Sequence, residues 1–194
     1  MLGWLVLRKP NPTKYPPANS GSIFYHEDDY RQVEIVPSEN FNELIKQADN
    51  IQDFAEKNFD GIGYTDIMAR EDYGLKLKDR GIPVAELEKV LLNLSLPRKT
   101  SVTTGISPGE MISKNTLGYG ENYDGLFFQF ESDIVSSIWI VGTIPTDKDK
   151  VIDTLHVLGL QWNLLLMDWN SCELVDLKDK EQVIKYLSYE DSEE

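Results

Sequence analysis

Cysteine is almost missing from this chain: Cys172 stands alone among 194 residues. One thiol cannot close an internal disulfide, and it leaves no CxxC pair for metal or redox work, a usage that fits a reducing compartment. Histidine is nearly as scarce, with only His26 and His156. Long hydrophobic runs are lacking too. The most apolar stretch, 126–144, is broken by Glu131, Asp133 and several serines, whereas a membrane-spanning helix needs about 20 consecutive apolar residues. At the N-terminus, MLGWLVLRK has no basic segment before its apolar run from Leu2 to Leu7, so a short first strand is expected there rather than a signal peptide. A soluble, cytoplasmic protein with no membrane partner is the expectation.

Positive charge is the remaining shortage. Nineteen Lys and Arg face thirty-three Asp and Glu, for a formal net charge of -14. Such a surface repels a phosphate backbone, which argues against nucleic acid as a partner and favours a basic protein. The acids cluster at both flanks. Residues 26–43 carry six acids and one base, and residues 168–194 carry nine acids and three bases.

What is present is the grammar of an α+β protein. Its anchor is Trp162 to Asp176, WNLLLMDWNSCELVD, where the apolar run Leu164 to Met167 reads as a buried strand turning through Asp168-Trp169-Asn170-Ser171 into a second strand. Before it, strands are expected at 3–8, 23–26 and 32–36, with a fourteen-residue proline-rich loop over 9–22. Ser38 is expected to cap a helix over 39–57, one or two pieces joined near Asn50, with Phe41, Leu44, Ile45 and Ala48 facing inward. Residues 62–68 are a strand candidate, and Pro83 opens a helix carrying Leu87, Val90, Leu91 and Leu94. Residues 99–125, rich in glycine, read as an irregular loop dividing an N-terminal half, 1–98, from a C-terminal half, 126–194.

The C-terminal half is expected to be β-β-α-β-β-α. Strands lie over 126–131 and 134–141, and a helix capped by Thr146 and Asp149 stops at Gly159. The buried strand pair follows, and then a helix capped by Asp179 and Gln182 that turns Val183, Ile184 and Leu187 inward. The expected architecture is an antiparallel or mixed sheet with helices mainly on one face, with two separate halves and one continuous domain both open.

Chemical motifs are sparse. His26 adjoins Glu27, Asp28 and Asp29, but consecutive residues of an extended segment point to opposite faces and do not converge on a metal. His156 has no acid or cysteine at ligand spacing, and Cys172 reads as a small buried side chain. Gly118-Tyr119-Gly120 and Gly61-Ile62-Gly63 lack the spacing of phosphate or dinucleotide loops. No metal, cofactor or catalytic residue is therefore expected. A carboxylate-dependent hydrolase stays open as an alternative, because acids are too abundant for sequence to select a pair.

Aromatics interleaved with acids are the stronger signal. Glu27, Asp28, Asp29, Tyr30, Tyr119, Tyr123, Asp168 and Trp169 are the candidate partner-binding residues, since aromatic anchors in a charged field make interface hot spots. Two stretches, EDDYRQVEIVP (27–37) and LLMDWNSCELVDLKDKEQVIKYL (165–187), resemble the immunity proteins of bacterial polymorphic and contact-dependent toxin systems. That resemblance implies a small acidic cytosolic α+β protein that binds a toxin domain, often a basic nuclease, and covers its active site without catalysis. It carries over no individual functional residue. A general adaptor or structural protein, its acids spread evenly, is the competing expectation.

Overall fold

The computed structural model describes residues 21–190, and for Tyr189 and Glu190 the backbone only. The expected first strand at 3–8 and nearly all of the proline-rich loop lie outside the described residues. The chain is α+β, built on a seven-stranded sheet and a smaller three-stranded one. In chain order the elements are β1 (Ser22–His26), β2 (Val33–Pro37), α1 (Phe41–Asn58), α2 (Val84–Leu91), β3 (Arg98–Lys99), β4 (Ser101–Gly105), β5 (Met111–Ile112) and β6 (Thr116–Glu121). There follow β7 (Asp124–Glu131), β8 (Ile134–Val141), α3 (Lys148–Trp162), β9 (Leu164–Asp168), β10 (Glu173–Asp176) and α4 (Lys180–Glu190).

The large sheet runs β10-β9-β2-β8-β7-β6-β3 and every neighbouring pair in it is antiparallel. β2, from the N-terminal half, sits between β8 and β9, so both halves share this sheet. In the small sheet β1 pairs with β4 in parallel and β4 with β5 antiparallel.

Strand alternation sends each residue to one of two faces. Ile35, Leu126, Phe128, Ile138, Ile140, Leu164 and Leu166 join Leu87 and Leu91 of α2, Ile152, Leu155 and Leu158 of α3, and Val183 of α4 in the main core. The opposite face is shared. Val36, Leu165 and Met167 pack under Leu44 and Ala48 of α1, while Phe127, Trp139 and Val141 pack under Ile23 and Tyr25 of β1 and Val102 of β4. Three helices thus cover one face, and α1 with the small sheet covers the other. Among the described residues no helix is long and apolar enough to cross a membrane.

The expected hairpins are present. Ser132 and Asp133, both at positive φ, turn β7 into β8, the backbone that a two-residue hairpin needs. Asp179 caps α4 by accepting from the backbone N–H of Glu181 and Gln182.

Several expectations need correction. Residues 99–125 are not an irregular loop but carry β3 to β6 and the start of β7. Their glycines permit close backbone approach within strands: a Cβ on Gly118 would lie 2.8 Å from Ile23 Cγ2, and one on Gly120 would lie 2.1 Å from the Asp124 carbonyl oxygen. Residues 62–68 form no strand, and their β-pairing is one isolated Phe59–Tyr64 bridge within the loop.

Ser38 opens a 3-10 turn instead of capping α1, and Asn40 holds both backbone groups of Leu75. α1 is one continuous helix whose inward residues are Leu44, Gln47 and Ala48, leaving Phe41 and Ile45 exposed. Asp147, not Thr146, caps α3, because the Thr146 hydroxyl is spent on the Leu94 carbonyl. α3 continues past Gly159 to Trp162 and ends at Asn163 in the left-handed region. Gly159 is needed for packing, since a Cβ there would lie 2.3 Å from the Leu177 carbonyl carbon. On α4 Val183 turns inward as expected and Leu187 packs against the core, but Tyr186 is buried with them and Ile184 is left exposed.

Candidate functional site

The antiparallel ladder decides which loops share an end. Val33 at the start of β2 lies opposite Ile140 near the end of β8 and opposite Asp168 at the end of β9. Val141 lies opposite Gly125 at the start of β7, just past the β6–β7 turn. Four segments therefore meet at one end of the large sheet: the β1–β2 connection (27–32), the β6–β7 tip (122–123), the segment after β8, and the β9–β10 turn (169–172). Trp169 N donates to the Gln32 carbonyl at 2.9 Å, joining the β9–β10 turn to the β1–β2 connection, and Phe24 N donates to the Asn122 carbonyl at 3.1 Å, joining the β6–β7 tip to β1.

Seven of the eight expected partner-binding residues lie on these segments or at their roots. Glu27, Asp28 and Asp29 form a one-turn 3-10 helix in which Glu27 and Asp28 are exposed and Asp29 half-buried. Burial raises the Asp29 carboxyl above its ordinary range, against an opposing pull from His26. His26 Nδ1 accepts the Asp28 backbone N–H at 3.2 Å and lies 3.5 Å from the Asp28 carboxylate. Tyr30 donates to Gln129 and stands edge-on to Trp139. Tyr123 meets the Phe24 ring edge-on. Asp168 accepts from the backbone N–H of Asn170 and from the Tyr186 hydroxyl. Tyr119 lies apart, 2% exposed beneath α2 and donating to Glu88, which together with burial pushes its phenol up to about 12.

Trp169 is at this end but faces inward, 7% exposed. Its indole N–H donates at 2.9 Å to Glu34, a carboxylate only 3% exposed on β2. The same carboxylate accepts from Arg31 Nε at 2.6 Å and from the Tyr73 hydroxyl at 3.1 Å, while Arg31 also donates to Tyr73. Burial and the Glu34 charge hold the Tyr73 phenol above its ordinary range, so it remains a donor. A buried carboxylate with three donors is compensated rather than poised for proton transfer. Its effect is mechanical: Glu34 ties residues 70–76 and the β9–β10 turn to the central strand.

Sequence reasoning missed what this network holds out. Arg70 stacks 4.9 Å above the Trp169 ring and donates to the Arg31 carbonyl at 3.1 Å, anchoring the end of the loop that leaves α1. That loop is internally braced. Asp60 Oδ1 accepts from the N–H of Ile62 and Gly63, both at 2.9 Å; Thr65 N donates to the Asn58 carbonyl at 2.8 Å; and the Phe59 and Tyr64 rings meet at 5.5 Å. Ile62 is nonetheless 96% exposed and Ile67 92%, with Met68 also exposed. Asp60, Asp66, Glu71 and Asp72 stand among them, all exposed. The signal for this loop is the unspent apolar pair inside an acid-studded segment, which by sequence alone reads as a strand.

Chemically this end presents carboxylates around an apolar protrusion. Among the described residues, no group of three His, Cys, Asp or Glu side chains is placed to hold a metal ion. Two hollows lie elsewhere, on the helix side. One of about 310 Å³ is between α2 and α3, lined by Glu86, Val90, Asn93 and Thr154, and one of about 180 Å³ is beside α3 and α4, lined by Ile140, Ile144 and Tyr186. No family model matches the chain, and neither a curated protein nor a solved structure matches it.

Proposed function

We propose that this protein is a non-catalytic binding protein whose acidic end docks on a basic protein partner and covers its working surface, in the manner of an immunity protein against a toxin domain. One observation carries the reading. Acids that are far apart in sequence, at 27–29, 121–124 and 168, are brought to one end of one sheet, where Arg70 anchors the acid-bearing 60–72 segment with its exposed apolar side chains. An adaptor whose acids served only solubility would have no need of that convergence. Complementary charge speeds and orients docking, and a buried apolar centre supplies the affinity.

The test is coexpression with the product of the neighbouring gene. The proposal expects rescue of the host from that product's toxicity, a one-to-one complex on gel filtration, and weakening of the complex by salt. Absence of rescue and of any complex would refute it.

A further inference from the structure

We infer that the 59–68 loop is the element of the acidic end that inserts into the partner, and that the partner presents there an apolar depression ringed by lysine or arginine. The inference deepens the binding reading above and rests on it.

Three features of the loop point this way. Ile62 and Ile67 are almost fully exposed, so they project beyond their neighbours and can be buried only by a concave surface. Each leaves a large apolar area in water that no part of the described chain covers. The backbone beneath Ile62 is already ordered by the Asp60 turn, the Thr65–Asn58 hydrogen bond and the Phe59–Tyr64 bridge, and Ile67 N donates to the Asp66 carboxylate at 2.8 Å between that braced turn and the Arg70 anchor. A braced loop loses little conformational freedom on binding, which is the property that makes an exposed side chain an effective anchor.

The charge around the two isoleucines selects the partner. Asp60 and Asp66 flank them within the loop, and Glu71 and Asp72 follow. Asp72 is paired with Lys76 at 2.9 Å, which holds its carboxyl below the usual range. Arg70 is committed to the Trp169 ring and the Arg31 carbonyl. Lys57 and Arg70 are outnumbered there by the exposed Asp53, Glu56, Asp60, Asp66, Glu71 and Asp72, so the outward charge around the protrusion is net negative. A second copy of this chain would bring like charge against like, and a purely apolar groove would leave the carboxylates desolvated without partners, at a cost too high for stable docking. A cationic rim answers both.

The experiment places the photo-crosslinking amino acid p-benzoylphenylalanine at position 62, 67, 28 or 112 of the full chain, expressed in its source cells. Crosslinked protein is identified by mass spectrometry, purified, and titrated with wild-type chain and with the Ile62→Ser/Ile67→Ser double variant. Both isoleucines are solvent-exposed, so the double variant should melt with the wild type. Expected is one basic protein captured from positions 62 and 67 but not from 112 on the small sheet. Its crosslinks should map to an apolar depression bordered by Lys or Arg, and its affinity should fall about 100-fold in the double variant.

Capture from position 28 alone, with unchanged affinity of the double variant, would overturn the inserted loop while leaving the acidic end as a docking surface. No capture from any of 62, 67 and 28 would overturn both. Capture of an acidic protein, or equal capture from position 112, would overturn the inference as well.

Discussion

Replacing Glu34 with alanine removes one side chain but strands three donors. Tyr73 and Trp169 are each 7% exposed and have no route to water, so each keeps a buried, unpaired donor, a cost of about 1–3 kcal/mol apiece. The Arg31 side chain is 28% exposed, so it turns outward and its share is smaller. The expected loss is about 3–5 kcal/mol, the range for breaking one side of a buried charged pair. For a chain of this size that corresponds to roughly 6–20 °C in Tm.

Urea unfolding followed by tryptophan fluorescence measures the loss directly, with the denaturant slope unchanged if the native state stays compact. Amide hydrogen exchange should quicken across residues 70–76 and the β9–β10 turn, because Glu34 holds both to β2. Arg31→Ala in the same background should cost less than it does alone, since its carboxylate partner has gone. A loss below about 1 kcal/mol, or additive effects of the two substitutions, would refute the network described here.

Other expectations follow from the close approaches and the buried charges. Gly159→Ala meets the Leu177 backbone, and Gly118→Ala meets side chains only, the Ile23 Cγ2 methyl and the Phe127 ring. Both should destabilise, by about 1–3 kcal/mol or more, with Gly159→Ala the worse. Gly63→Ala, with nothing within 4 Å, should melt with the wild type, and the reverse ranking in thermal melts would refute these packing assignments. Asp124 has its carboxyl raised by burial, so its charged form is disfavoured in the fold. Its contribution is fully present below the unfolded value of about 3.9 and is lost as pH rises through the higher folded value. Asp124→Asn should therefore raise Tm at pH 7 relative to the wild type, with the advantage disappearing near pH 3; an equal effect at both pH values would refute that account.

The C-terminal half was legible because each element announces itself locally. Leu164 to Met167 is an apolar run with turn residues after it, Ser132-Asp133 is a two-residue hairpin, and Asp179 with Gln182 is a cap that needs no tertiary partner. The glycine-rich region was misjudged because Gly118, Gly120 and Gly125 look like loop residues in isolation. Their purpose appears only when β1 and the neighbouring strand are laid against them. Thr146 lost its cap for a similar reason, its hydroxyl being claimed by a carbonyl 52 residues away.

At the acidic end, sequence could name Glu27 to Tyr30 and Asp168-Trp169 but not their adjacency, which depends on β2 lying beside β9. It could not tell that Trp169 turns inward, because the buried carboxylate that receives it sits 135 residues earlier. The exposed isoleucines were missed because an Ile-containing segment looks like a strand until the structure shows that nothing covers it.

The most direct test of the acidic-end account is a calorimetric titration of the coexpressed partner with wild-type chain and with Glu27→Lys/Asp28→Lys, each at low and at high salt. The side chains of Glu27 and Asp28 are exposed, so charge reversal there leaves the fold intact. The account predicts weaker binding of the variant at low salt, a smaller salt dependence than the wild type, and convergence of the two affinities as salt rises. Equal affinities at low salt would contradict it.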